Sequence, residues 1–339
     1  MIVKPETFKK CIALTEYNDI IDISNKVLRK CTDTNKQNKN LSKNSICIVC
    51  NFRFLENKIL WSKKVKAICH PFNNDSIFPS SIKKYLFSES DFCDKLTTIT
   101  EKRMKKWDKK RYDFVYFTLI SREGTKSKGL YLLPLINKIA ADLGLKGLVI
   151  NYATRETAKH KGTIYHKSLN KVKEEISSFK NLEIVNAKFH SEEVCAIMKS
   201  CKFVLLPSDA DASPRLLVET LVRNRPLVVN SAIYGGWKYI NDSNGAFFDA
   251  PTIEESYSKK YNKDYEYYKS SLKNAILKTL SIENRSEISK NFYTNYGFLN
   301  ASKKMAKIIN EISGTRYKAV AFKEWKKSLR KVVKNEGRV

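Results

Sequence analysis

Between residues 114 and 248 the chain repeats one unit: a short apolar run, a polar loop, then an amphipathic stretch of helical period. The apolar runs are 114–120, 147–152, 182–185, 203–206 and 226–230; the stretches between them are 130–143, 165–179, 191–200 and 214–223. Strands that alternate with helices in this way lie parallel, because a parallel pair needs a crossover and the helix supplies it. Runs of Val, Leu, Ile and Phe with little polar alternation suit strands buried on both faces. The pattern predicts an α/β fold.

The fourth run leads into the chemistry. Residues 207–212 (Pro-Ser-Asp-Ala-Asp-Ala) break it into a loop. Ser213 then reads as a helix N-cap and Pro214 as the first helical residue, where its missing N–H is harmless. In open α/β sheets ligands gather beyond the carboxyl ends of the strands, beside helix N-termini whose N–H groups and dipole favour a phosphate. Asp211 lies in the loop before this helix and Glu219 about one and a half turns inside it. Both carboxylates can accept hydrogen bonds from hydroxyls attached to such a phosphate. Glu219 also stands four residues from Arg215 and four from Arg223, the spacing of surface ion pairs worth about 0.3–0.5 kcal/mol each. Both readings stay open on the sequence alone.

Asp211-x7-Glu219, preceded by an apolar strand and Pro207-Ser208, resembles the acidic pair of the retaining group-1 glycosyltransferases of the GT-B fold. Tyr234-Gly235-Gly236-Trp237 and Asn244-Gly245-Ala246-Phe247 match that family's two downstream turns. The resemblance implies two Rossmann-like α/β domains facing across a cleft, the N-terminal one small. It implies that Asp211 faces the donor sugar and Glu219 binds the ribose. Ser213, Pro214, Arg215 and Leu216 would hold sugar and diphosphate, with Gly235 and Gly236 in the glycine turn and Asn186 near the nucleotide base. The loop after 114–120 would aim an Arg and a Lys-Gly at the diphosphate. Lys128-Gly129 matches the Lys-Gly, Arg122 is the natural Arg, and Lys126 competes for either role. Fixed cations would stabilise the leaving diphosphate as its charge grows, without a bound metal. Two departures stand out: Asp211 occupies the place of the usual Glu, and Ala212-Ser213-Pro214 that of the usual Gly-Phe-Gly.

No glycine precedes Gly124, so a glycine-dependent phosphate loop is excluded from the first third of the chain. Apolar spacing predicts a helix within 12–31 and another over 78–88, with strands at 45–50, 65–70 and 96–100. His70, at a strand end, is the one acceptor-side candidate; a hydrogen-bonded structural histidine is the plainer reading. Cys47 and Cys50 have CxxC spacing and, with Cys69, His70 and Cys93, raise a zinc site. They lie in an apolar run without turn residues, which favours buried thiols and no metal. The basic run 102–111 reads as a solvated helix face. The expected division is an N-terminal acceptor-side domain over 1–111, a nucleotide-sugar domain over 112–299, and C-terminal helices with a basic tail over 300–339. Helices are expected at 272–280 and 300–312, and 251–268 is polar and tyrosine-rich.

The net charge of +28 invites a polyanion or a membrane surface as partner. No nucleic-acid signature accompanies the charge, and a Lys- and Asn-rich composition explains it as well. The tail 316–338 holds nine Lys or Arg and two Glu, which suits peripheral contact with an anionic membrane or an ordinary basic helix end. No apolar run is long enough to span a bilayer or to act as a signal peptide, so a cytoplasmic enzyme is expected. The expected activity is transfer of a hexosyl or pentosyl group from a nucleotide-diphosphate sugar, of UDP or GDP type, to a hydroxyl of a glycan, lipid or protein. No cofactor is expected. The rivals are a non-enzymatic polyanion- or nucleic-acid-binding protein on the same scaffold and, more distantly, a sugar-nucleotide epimerase.

Overall fold

The computed structural model of the chain describes residues 19–22, 27–30, 45–49, 65–94, 99–121, 125, 127–152, 163–314, 316 and 318–319. It contains two sheets. The larger has six parallel strands: β6 (Phe114–Thr118), β7 (Gly147–Asn151), β8 (Leu182–Asn186), β9 (Phe203–Leu206), β10 (Leu227–Asn230) and β11 (Gly245–Phe248). Their spatial order is β8-β7-β6-β9-β10-β11. This is the doubly wound order, which reverses direction between β6 and β9.

Helices cover both faces. Phe114 and Tyr116 of β6 face a core built with α2 (Leu133–Asp142), α3 (Ile164–Glu175) and α6 (Lys259–Leu280). Val115 and Phe117 face the opposite core, built with α1 (Glu101–Asp108), α4 (Ser191–Ser200), α5 (Arg215–Leu221) and α7 (Ile288–Asn295). This explains the unbroken apolar runs: every residue of β6, β7, β9 and β10 is buried.

The smaller sheet has the order β2-β1-β3-β4-β5. Its strands are β1 (Asp19–Asp22), β2 (Val27–Lys30), β3 (Ser45–Ile48), β4 (Val65–His70) and β5 (Lys83–Leu86). β1 runs antiparallel to β2 and β3, whereas β3, β4 and β5 are parallel. The last described helix, α8 (Phe298–Ser313), returns to this sheet. Its Ala301, Met305, Ile308 and Ile309 lie on one helical face and pack on Ile46, Ile48, Ala67 and Cys69.

Several expectations are corrected. The helix expected within 12–31 is replaced, over the described residues, by the antiparallel pair β1 and β2; pairing with β3 overrides the local spacing. The helix expected over 78–88 is instead β5, an edge strand whose Lys83 and Lys84 suit an exposed edge. Ile99 and Thr100 belong to no strand, and Thr100 is the residue before α1; 95–98 lie outside the described residues. The helix expected at 272–280 begins earlier, at Lys259, so the tyrosine-rich stretch before it forms the first half of α6. Ser258 caps it, and Tyr261, Tyr265 and Tyr268 come together on one face. The basic run is not merely a solvated face: α1 is fastened to α4 by buried Trp107, whose indole N–H donates to Glu193 at 2.5 Å. Cys47 and Cys69 belong to opposite faces of the small sheet and do not converge, while Cys50 lies outside the described residues. Among the described residues no helix is long and apolar enough to cross a membrane.

Candidate functional site

The direction of the larger sheet reverses between β6 and β9, which leaves a crevice beyond their carboxyl ends. Two segments rim it, the described residues 119–121 and 127–129 after β6 and residues 207–214 after β9. Lys128 reaches across the crevice from the first to the second. Its Nζ lies 2.9 Å from Oδ2 of Asp211, with both side chains partly exposed. The Lys128 backbone is set from below, where buried Tyr116 donates its O–H to the Lys128 carbonyl at 2.5 Å. Gly129 turns the chain with φ +68 against the Pro207 carbonyl oxygen, where a Cβ would stand only 2.3 Å away. Only glycine permits that approach. The Lys-Gly of the sequence is therefore one device: the glycine closes the loop and the lysine crosses it.

Asp211 fastens three segments. Besides Lys128, its Oδ1 accepts the Ser213 N–H at 3.2 Å, and its carbonyl accepts the Gly235 N–H at 3.1 Å. Gly235 is wedged so tightly that an added Cβ would lie 1.9 Å from the Ala212 carbonyl oxygen and 2.6 Å from that of Pro71. Gly236 follows against Pro214. Pro71 and Phe72 follow β4 of the small sheet, and Phe72 forms a β-bridge with Gly235. The glycine turn thus joins the crevice to the second sheet.

The helix start differs from expectation. Pro214, extended at φ −71 and ψ 93, takes the N-cap position, and α5 begins at Arg215. Ser213 is no cap. Its hydroxyl meets Ser88 Oγ at 2.5 Å and Ser90 Oγ at 3.3 Å, both from the segment after β5. Leu216 is half-buried against the α5 core. Arg215 is exposed, with Nη2 4.0 Å from Glu219 Oε1, as the i to i+4 spacing predicts. Arg223 instead donates to the Glu219 backbone carbonyl at 2.6 Å. The Glu219 carboxylate, one-third exposed, lies close enough to raise the pKa of both Tyr152, just past β7, and Cys93; burial is the larger cause for each. Tyr152 stacks on Phe117 at 6.0 Å and 9°.

Asn186 ends β8, two strands beyond β6, and its Oδ1 accepts Asn151 Nδ2 at 2.6 Å. Asn151 Oδ1 in turn accepts the Ile120 N–H at 2.6 Å, so a chain of amides ties three strand ends. Lys128, Asp211, Ser213, Pro214, Gly235 and Gly236 are brought together, with Arg215 and Glu219 on the adjoining helix. Arg122 and Lys126 lie outside the described residues.

Asp209 was not singled out from the sequence. It sits two residues before Asp211, its Oδ1 is buried without a hydrogen-bond partner, and burial pushes its pKa up to about 6. The signal was present in the Asp-Ala-Asp repeat but was spent on Asp211.

His70 ends β4 and is almost fully buried. Its ring lies 4.7 Å from that of Phe78 and 6.2 Å from that of Phe72, and Nδ1 has no hydrogen-bond partner. Burial pushes its pKa down to about 4 against the opposing pull of Asp75, so the ring is neutral at pH 7. The unfolded chain takes up this proton below about pH 6.5 and the folded chain does not, so stability falls as pH drops through this window. The expected loss attributable to His70 is about 2–3 kcal/mol between pH 7 and pH 4.5. Urea unfolding at both pH values, with His70→Phe alongside, measures it. An unchanged acid slope in the variant would clear His70 of this role.

Among the described residues no group of three or more His, Cys, Asp or Glu is arranged to hold a metal ion. No protein-family model matches the sequence, and a search of curated proteins finds no match. Solved structures do match. The pneumococcal O-GlcNAc transferase GtfA, in complex with UDP and GlcNAc, aligns at TM-score 0.51 and 11% identity, covering 77% of this chain and 48% of that one. The GtfA/B complex aligns at TM-score 0.52 and 14% identity, covering 78% and 49%. Sucrose-phosphate synthase of Thermosynechococcus elongatus aligns at TM-score 0.51 and 10% identity, covering 76% and 60%. The chain spans about half the length of the first two. With the doubly wound sheet, the second sheet and the crevice between β6 and β9, these matches show that the chain has the GT-B glycosyltransferase fold.

Proposed function

We propose that this chain is a glycosyltransferase, moving a sugar from a nucleotide-diphosphate donor to an acceptor hydroxyl on a glycan, lipid or protein. One observation carries the reading: a lysine and an aspartate face each other at 2.9 Å across the point where the sheet reverses. That is where an open α/β sheet takes a phosphorylated ligand. Arrival of the diphosphate exchanges one anion for another on Lys128. The ammonium turns from Asp211 to a phosphate oxygen, and the released carboxylate accepts hydroxyls of the donor sugar. As the sugar–phosphate bond breaks, negative charge grows on the diphosphate. Lys128, Arg122 and the backbone N–H groups of Arg215 and Leu216 stabilise it in place of a metal. Ser213 and Pro214 shape that end of the site, and Gly235 and Gly236 close it.

Glu219 takes the ribose hydroxyls, and Asn186 lies toward the base. UDP is the donor nucleotide of this reading, supported by the UDP bound in the GtfA structure. Retention of configuration follows from the resemblance of the Asp211-x7-Glu219 pair. His70, if it serves the acceptor side, does so as a neutral group.

The experiment is calorimetric titration of UDP into the full chain and into Glu219→Ala. Hydrogen bonds to a carboxylate contribute about 1.5–3 kcal/mol, so the variant is expected to bind about ten- to a hundredfold more weakly with an unchanged unfolding midpoint. Normal UDP binding by the variant would remove Glu219 from the ribose. No binding of UDP or GDP to the folded wild-type chain would remove the transferase reading.

A further inference from the structure

Along the outer edge of the larger sheet, away from the crevice, β11 and α6 enclose a cavity of about 560 Å3. Phe247 and Tyr267 line it with their rings, and Asn241, Asp242, Asn274 and Lys278 supply polar groups. Trp237 continues the aromatic surface beyond Phe247, the two ring centroids 5.6 Å apart at 52°. Trp237, Phe247 and Tyr267 are 48%, 36% and 57% exposed. Single exposed aromatics are ordinary, but two that line one cavity, with Trp237 packed against one of them, form a patch that calls for a ligand.

The surface is set before any ligand arrives. The Tyr267 O–H donates to Asp249, which also accepts Ser231 Oγ at 2.5 Å. The Trp237 backbone N–H donates to Asn73 Oδ1 at 3.0 Å, so the platform begins where the two sheets meet. Asn241 Oδ1 accepts the Ser243 N–H at 3.0 Å, which sets the plane of that amide.

Charge narrows the ligand class. Lys278 Nζ pairs with Asp242 Oδ1 at 2.6 Å, so the cavity is balanced within a chain of net charge +28. An anion has stronger attractions elsewhere on this molecule. A lipid chain would leave the amides and the ion pair desolvated without partners. A neutral ligand with an apolar face and a hydroxyl rim meets every lining group. The C–H face of a sugar ring packs on an aromatic ring, whose face is electron-rich. Its hydroxyls bond to the amides and the carboxylate.

We propose that Trp237, Phe247 and Tyr267, with Asn241, Asp242 and Asn274, form a saccharide-binding site separate from the β6–β9 crevice. Its use as a rest for the far end of an oligosaccharide acceptor depends on the transferase reading; saccharide binding itself does not.

The test applies saturation-transfer NMR and calorimetry to the full chain with neutral pentasaccharides of the gluco, chito, manno and galacto series at millimolar concentration. At least one series is expected to bind saturably. Trp237→Ala, Phe247→Ala and Asn274→Ala are each expected to weaken it by about tenfold or more. All three side chains are substantially exposed, so the variants should keep the wild-type circular dichroism spectrum. No saturable binding in any series overturns the proposal. So does binding that survives all three substitutions. UDP titrated into the same samples tests the donor reading separately: oligosaccharide binding without UDP binding keeps this site and removes that reading.

Discussion

An Asp91→Ala variant is expected to be less stable than the wild-type chain by about 3–5 kcal/mol. Asp91 lies in the segment after β5 and is almost fully buried. Its Oδ1 stands 2.6 Å from Lys238 Nζ and accepts the Tyr239 O–H at 2.5 Å, and its Oδ2 accepts the Ser88 N–H at 3.1 Å. Lys238 is itself only 10% exposed, and burial pushes its pKa down to about 8 although Asp91 opposes the shift. Removing the carboxylate leaves a buried ammonium alone and two further donors unpaired, which costs far more than the pair contributes. Urea unfolding of the variant measures the loss. Lys238→Met added to Asp91→Ala should recover most of it, because no lone charge remains. A loss below about 1 kcal/mol for the single variant would mean that water reaches Lys238. The pair joins the two sheets beside the Gly235-Gly236 turn, so it is the natural clasp of the molecule.

The second large effect concerns turnover. If the transferase reading holds, Lys128→Ala should lower kcat by about a hundred- to a thousandfold, the usual cost of removing one group that stabilises developing charge. KM should change less, because the charge on the diphosphate grows only as the bond breaks. The Lys128–Asp211 pair is partly exposed, so folding stability should fall by no more than about 1 kcal/mol. Lys128→Arg should keep a measurable part of the rate. Transfer from UDP-sugars, followed as UDP release, reads all of this, and near-normal turnover of Lys128→Ala would exclude Lys128 from the reaction.

The larger sheet was legible because its strands carry their own signal. Runs such as Phe203–Leu206 and Leu227–Asn230 are buried throughout, and the first is followed by a helix with one apolar side. The smaller sheet was not. β5 exists because Lys83–Leu86 pairs with Ala67–His70, and nothing local in that segment announces a strand. β1 and β2 likewise depend on their neighbours, since strand preference is mostly a preference for a packed, paired surface.

At the site the same division runs through single residues. Asp211 and Glu219 could be read because the loop break and helix spacing are local and already set them on one helix entrance, whereas Lys128 and Gly129 were singled out through the resemblance to the glycosyltransferase family. The pairing of Lys128 with Asp211, 83 residues apart, came only from the order of strands. Ser213 shows why local rules fail at such a place. Ser-Pro before a helix reads as cap and first turn, yet the Ser213 hydroxyl is taken by Ser88 and Ser90, 125 and 123 residues away. The sequence by itself determined the parallel α/β sheet and the stretch that holds its carboxylates, because burial and helical period act over a few residues. Only the tertiary structure decided which side chains meet across the crevice, how the glycine turn joins the second sheet, and where Asp91 finds Lys238, because those contacts exist only once distant segments share a buried surface.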